Sequence, residues 1–264
     1  MAPAFPLLGG IRKRIWMPGW LLFKEPNLLY VVNSIGFDTS LFKLSDHKLN
    51  LISSATASEG GVDLEFIHDK TRMVEACYRS GMIDIWDTSK ADGTLKYMKS
   101  LSPPGKPTPP RNHHRPHQAV LDPTGRFFVV PNLGGDTLVV IDSEDDRYEI
   151  TGCTTVPANV GPRRVAFIRR DEKLFLIMVG EVSNEVFLYE TDYSNDTLQF
   201  NEIERQSTYG NSPPSNGSAA KVAELMVSNN QTDVYISNRV TGETTDHIAH
   251  FEFGELYMVH IFNT

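Results

Sequence analysis

One short pattern recurs along this chain and limits what it can fold into. A β-branched and apolar run closes on a small or polar residue, turns tightly and gives way to a second run. The first runs are Leu29-Tyr30-Val31-Val32-Asn33, Met73-Val74-Glu75-Ala76-Cys77, Phe128-Val129-Val130-Pro131-Asn132, Leu176-Ile177-Met178-Val179-Gly180 and Val234-Tyr235-Ile236-Ser237-Asn238. They close at positions 33, 77, 132, 180 and 238, in steps of 44, 55, 48 and 58 residues. Three second runs, beginning at Met82, Thr137 and Glu185, alternate as strands do and end on Asp87, Asp142 and Glu190, where the chain is expected to leave the sheet. Asp122-Pro123-Thr124-Gly125 has the residues of a type I turn, with Asp first, Pro second and Gly fourth. Apolar residues at helical spacing do not persist beyond short windows. Repeats of about 40 to 50 residues built from several strands predict an all-β propeller of four-stranded antiparallel blades, arranged radially so that few edges are exposed.

The period also sets a count. The mean step is about 51 residues, so the chain holds roughly five blades, and seven would need roughly 357 residues. The segment from His247 to Thr264 begins like an outer strand and stops. Residues 1–19 read as an N-terminal segment and 20–264 as a single, incomplete propeller domain, whose open blade edges would favour self-association.

Composition narrows the function classes. A 40% hydrophobic, 22% charged chain has the material for a core and is not a disordered one. A net charge of -8 argues against a nucleic-acid partner, and the cluster Arg12, Lys13, Arg14 is too short to reverse this. No run approaches the roughly 18 to 20 apolar residues that span a bilayer, Leu174 to Gly180 being strand-sized, so no membrane partner is expected. The apolar stretch after Arg14 is broken by Pro18, Gly19 and Lys24, which leaves no signal-peptide core and points to a cytoplasmic protein. Cys77 and Cys153 fit neither a disulfide framework nor a metal knuckle.

In a propeller, residues just before an inner strand or just after the second strand point toward the axis. His117 and Arg163 share the first register, 46 residues apart, and Glu181 and Arg239 share the second, 58 apart. A His can move a proton near neutral pH, two guanidiniums can hold carboxylates or stabilise an oxyanion, and a carboxylate can orient them. On spacing alone the structural reading is favoured over the functional one: Arg163 and Arg239 as ion-pair partners of Glu181, and His117 as a capped loop residue. The run His113-His114-Arg115-Pro116-His117 suggests a metal, but Pro116 excludes a helix and no matching Cys or carboxylate set accompanies it, so neither metal nor cofactor is expected. Gly60-Gly61 and Gly134-Gly135-Asp136 are turn glycines with no helix after them to cradle a phosphate. No GxSxG elbow appears and neither Cys lies beside a His. Trp16, Trp20 and Trp86 read as blade-packing aromatics.

Beyond these residue types, the string from Pro116 to Asp136 resembles the lactonase seven-bladed β-propeller family, which includes 6-phosphogluconolactonases, fungal carboxy-cis,cis-muconate cyclases and aldonolactonase-like proteins. Gly161-Pro162-Arg163-Arg164 is similar to its GPRH-type segment, and Gly180-Glu181-Val182-Ser183-Asn184 to its NELSN-type segment. Ala219-Ala220-Lys221-Val222-Ala223-Glu224 with Ser237-Asn238-Arg239 looks like its AAEI and SNRG pair. The resemblance implies that His117, Arg163, Glu181 and Arg239 form the catalytic set, with Gln118, Arg164 and Glu224 as second-tier substrate contacts. Three features depart from the family: Gly180 replaces an Asn, Arg164 replaces a His, and the turns at Arg169-Arg170-Asp171 and Asn229-Asn230-Gln231 are degraded. Against a seven-bladed family the chain looks truncated at both ends.

The implied function is metal-independent lactone chemistry on a sugar-acid or muconate-type carboxylate, by hydrolysis or by lactonising cycloisomerisation. His117 would serve as general acid/base and the arginines as carboxylate or oxyanion ligands. The alternative is an inactive propeller serving as an interaction module, because an unclosed ring need not preorganise a site to the ~0.5 Å that chemistry requires. His117→Ala is expected to abolish turnover while changing stability by about 1 kcal/mol or less, as a surface substitution does.

Overall fold

The computed structural model describes residues 17–254 and 258–261. It is all-β, with five four-stranded antiparallel sheets that are consecutive propeller blades. The first blade is β1 (Pro18–Lys24), β2 (Leu28–Asn33), β3 (Asp38–Ser45) and β4 (Lys48–Thr56), and the second is β5 (Gly61–Phe66), β6 (Arg72–Cys77), β7 (Met82–Asp87) and β8 (Lys96–Leu101). The third comprises β9 (Val120–Leu121), β10 (Phe127–Asn132), β11 (Thr137–Asp142) and β12 (Glu149–Thr155). The fourth comprises β13 (Pro162–Arg170), β14 (Lys173–Gly180), β15 (Glu185–Ser194) and β16 (Thr197–Ser207), and the fifth β17 (Lys221–Val227), β18 (Asp233–Arg239), β19 (Ile248–Phe253) and β20 (Met258–Ile261). The chain divides into two compact units, Met1–Ser102 with the first two blades and Pro103–Thr264 with the other three.

The five runs that reveal the repeat are the second strands of the five blades. They read as continuous apolar segments because a second strand inside a blade stack is covered on both faces. In β14, Phe175, Ile177 and Val179 face a core shared with Val222, Val234, Ile236 and Phe251 of the fifth blade. Leu176 and Met178 alternate to the opposite face, among Val129, Leu138 and Val140 of the third. In the first unit Tyr30, Val32 and Leu41 pack against Leu64, Met73 and the fully buried Trp86, with Trp20 alongside. Trp16 and the cluster Arg12, Lys13, Arg14 lie outside the described residues.

Turn chemistry sets the hairpins. Asp122 accepts the Gly125 N–H on its carbonyl at 2.9 Å, and its carboxylate takes Thr124 N at 3.0 Å and Phe127 N at 2.7 Å, while Gly125 sits at φ +81. Because Asp122 belongs to that turn, β9 ends at Leu121. The second run of the fourth blade does not leave the sheet at Glu190: β15 continues to Ser194, where Asn195 and Asp196, at φ 53 and 55, form a two-residue hairpin with both residues left-handed. The degraded turns still close, with Asp171 (φ 49) and Gln231 (φ 59) supplying the left-handed residue that a glycine would otherwise supply. The segment after His247 contributes two strands, β19 and β20, which complete the fifth blade.

Candidate active site

The two registers converge in the second unit. Pro116 bridges Asn132 as Pro162 pairs with Gly180, so His117 and Arg163 hold equivalent places before the first strands of consecutive blades. Glu181 and Arg239 follow the paired residues Gly180 and Asn238 in the same way. Arg163 is also the extra residue of a β-bulge, since Pro162 pairs with Gly180 and Arg164 with Val179. A bulge re-aims a side chain that would otherwise lie on a sheet face. A second bulge, between Val222 and Leu225, turns the Ala223 carbonyl and Glu224 toward the fourth blade.

These distortions place the four predicted residues in one hydrogen-bonded cluster. Arg163 donates through Nη1 to Glu181 Oε2 at 3.0 Å and through Nε to Ala223 O at 2.6 Å, and its Nη1 also meets His117 Nε2. Arg239 Nη2 donates to the same Glu181 oxygen at 3.0 Å. One carboxylate therefore holds two guanidiniums, one of which covers the imidazole. His117 is buried, as are most of Arg163 and Glu181, whereas the Arg239 side chain is 45% exposed and so forms the accessible edge.

Burial and the cations Arg163, Arg164 and Arg239 hold the His117 imidazole well below the ordinary histidine range, so it is neutral at neutral pH. Burial pushes Arg163 down to about 10 against the pull of Glu181, which leaves it protonated. Two guanidiniums against one carboxylate leave one net positive charge in a chain of net charge -8. That suits a single developing or resident negative charge, such as an oxyanion or a carboxylate.

Of the second-tier residues, Arg164 is buried and donates through Nε to Glu224 Oε2 at 3.1 Å, beside the main cluster. Gln118 braces the blade junction instead, its Oε1 accepting Val165 N at 2.7 Å. Gly180, where the family pattern has Asn, faces Val160: a Cβ there would lie 2.8 Å from Val160 O and 2.7 Å from its Cγ1. The expectation that His117 is a surface residue fails, because it is 8% exposed and its backbone N–H is bonded to Pro131 O at 3.0 Å. Sequence reading missed the Ala223 carbonyl, for which a backbone atom leaves no residue-type signal. It also passed over Asp136 as part of a glycine turn.

The three imidazoles of the histidine run go to separate partners: His113 to Asn112 at 2.7 Å, His114 to Asn132 at 3.0 Å, and His117 to Arg163. Among the described residues, the donor atoms of Glu75, Cys77 and Asp84 in the first unit lie within 4.8 Å of one another, all buried. Glu75 Oε2 already accepts Thr39 Oγ1 at 2.7 Å and Trp86 Nε1 at 2.8 Å, while Asp84 accepts Ser58 N and Ser58 Oγ, each at 2.8 Å, and Ser100 Oγ. Burial raises the Glu75 carboxyl to about 7 and the Cys77 thiol well above its usual value, so the group reads as a buried hydrogen-bonded core network.

Five antiparallel four-stranded blades, with a polar cluster at the strand entries, define a β-propeller. The chain belongs to the lactonase family of seven-bladed β-propellers, whose family model matches residues 10–264. It is 27% identical over 266 residues to a protein of Arthroderma benhamiae named a probable 6-phosphogluconolactonase, covering 93% of this chain and 65% of that relative. It is also 27% identical over 228 residues to an uncharacterized protein of Staphylococcus aureus, covering 83% of this chain and 64% of that relative. The chain thus spans just under two thirds of the length of these relatives. Among solved structures, a Lactobacillus plantarum protein superposes with a TM-score of 0.79 at 19% identity, covering 93% of this chain and 70% of the other. The periplasmic gluconolactonase of Pseudomonas aeruginosa superposes with a TM-score of 0.76 at 18% identity, covering 93% and 71%. At such identities the structural likeness establishes the fold.

Proposed function

We propose that this chain hydrolyses the ring of a sugar-acid lactone without a metal ion, through His117, Arg163, Glu181 and Arg239. The observation that carries the reading is the cluster itself: a neutral, buried imidazole against a guanidinium, with a net positive charge of one and an accessible edge at Arg239. Family membership and the 6-phosphogluconolactonase name of a 27% identical relative support the lactone class.

The lactone carbonyl oxygen accepts from Arg239 and draws the Arg163 guanidinium toward it, which releases the Nε2 lone pair of His117. A water then gives a proton to Nε2 while its oxygen bonds to the carbonyl carbon, and the two guanidiniums hold the oxyanion. Collapse of that tetrahedral species breaks the bond to the ring oxygen, which takes the proton from His117. The product is an open-chain hydroxy acid, whose carboxyl group releases its remaining proton to solvent and, as the carboxylate, replaces the oxyanion. Glu181 keeps both guanidiniums in register throughout. The closing direction, on a muconate-type carboxylate, would use the same four groups.

The test is an assay of purified, monodisperse protein on gluconolactone-type and muconolactone-type substrates in parallel, with and without EDTA. Hydrolysis of the sugar lactone that survives the chelator and is lost in His117→Gln is the expected result. Turnover of neither substrate by folded protein would refute the lactone reading and favour an interaction module.

A further inference from the structure

The catalytic set depends on where two short lead-in loops end, and each loop is held by the same position of a preceding blade. Asn132 pairs with Thr137 across the turn of the third blade, and Gly180 with Glu185 across that of the fourth. The residue before the third strand is then Asp136 in one and Asn184 in the other, both left-handed, at φ 49 and 57. Asp136 is 1% exposed, and its carboxylate reaches the loop that enters the next blade. Oδ1 accepts Gly161 N at 2.7 Å, and Oδ2 accepts Asn159 N at 2.8 Å together with Arg111 Nη2. Gly161 and Pro162 lead directly into Arg163, and the Gly161 carbonyl accepts Glu181 N at 2.8 Å. One carboxylate thereby sets the backbone of both Arg163 and Glu181.

Asn184 does the corresponding work one blade on. Its Nδ2 donates to Ala220 O at 2.9 Å, and its own carbonyl accepts Thr208 N at 3.0 Å. Ala220 immediately precedes β17, which carries the Ala223 carbonyl that receives Arg163 Nε at 2.6 Å. The Arg163 guanidinium is thus located from two sides, its own strand entry through Asp136 and its acceptor through Asn184.

We propose that Asp136 and Asn184 are positioning residues of the candidate active site, acting through Gly161 and Ala220 to hold Arg163 against His117 and Glu181. The kinetic part of this inference rests on the lactone reading; the geometric part does not. Asp136→Asn preserves shape but turns an NH2 group toward N–H donors that need an acceptor. In the full chain it is expected to lower kcat for the sugar lactone at least tenfold with KM changed less than twofold. It should also raise the His117 titration midpoint, followed by NMR, as the guanidinium retreats. Asp142→Asn is the control, because Asp142 holds Arg126 through bonds of 3.0 and 2.7 Å and touches none of the site residues. It should reduce stability and leave both readouts unchanged.

Equal kcat losses in the two variants, with an unmoved His117 midpoint, would overturn the proposal. A wild-type chain without lactone turnover would count against the lactone reading alone, since the His117 midpoint still reports whether Asp136 positions the guanidinium. Should Asp136→Asn fail to fold, Asn184→Gly keeps the left-handed backbone, removes only the amide, and carries the same two expectations.

Discussion

Replacing Arg163 by Met keeps an unbranched chain of similar reach and removes the guanidinium that covers His117. The structure supplies the size of the perturbation. Unit charges about 4 Å apart interact by about 4 kcal/mol at an effective dielectric of about 20, well above the ~1.4 kcal/mol that moves a titration midpoint by one unit. Burial and the cations Arg164 and Arg239 would still hold His117 down, while Glu181, freed from one of its two partners, would favour the imidazolium. The His117 midpoint should therefore rise by about one unit or more, as read from its ring proton shifts between pH 4 and 9. The loss of an oxyanion ligand should lower kcat by roughly 10² to 10³. The Ala223 carbonyl loses its donor, which should cost about 1 to 3 kcal/mol in denaturant unfolding. A folded variant whose His117 midpoint does not move would refute the view that Arg163 keeps the imidazole neutral, and with it the proposed release of the Nε2 lone pair.

Other expectations follow from the same structure. Because His117 is depressed, its basic form persists well below pH 6.5, so kcat/KM should stay level there instead of falling as it would with a free imidazole. The same depression removes stability as pH falls below 6.5, because the unfolded chain takes up a proton that the folded one refuses; His117→Ala should flatten that part of a Tm-against-pH curve. That variant should abolish turnover and, His117 being buried, cost about 1 to 3 kcal/mol, more than a surface change would. Glu75, raised to about 7, has the opposite sign: its contribution is intact below pH 4.5 and is lost as pH rises toward 7. Glu75→Gln should therefore stabilise the first unit at pH 8 by something on the order of 3 kcal/mol, with Trp86 fluorescence as the probe. Ile177→Ala, in a fully buried second strand, should destabilise by roughly 2 to 5 kcal/mol in urea unfolding.

The repeat was legible because second strands such as β14 are covered on both faces and so carry uninterrupted apolar runs. The type I turn at Asp122 was legible because Asp, Pro and Gly each have a local reason for their place. The end of β15 was not, since Glu190 looks like an exit while the hairpin residues Asn195 and Asp196 lie beyond it. The four candidate residues could be named because two registers repeat at equivalent strand ends. Their mutual bonding could not, because it depends on the bulge at Arg163 and on the path of the loop that Asp136 holds. Gln118 shows the same limit: its type suits a substrate contact, and its actual partner is the backbone of Val165.

By itself the sequence determined the architecture, because period, alternation and turn residues are short-range properties that each blade states anew. Tertiary structure decided the chemistry of the site. Whether His117 is neutral or charged depends on burial and on guanidiniums 46, 47 and 122 residues away in the chain, and whether Arg163 binds Glu181 or solvent depends on an ångström-scale bulge. Such terms depend on distance and on desolvation, and neither is fixed until the blades have packed.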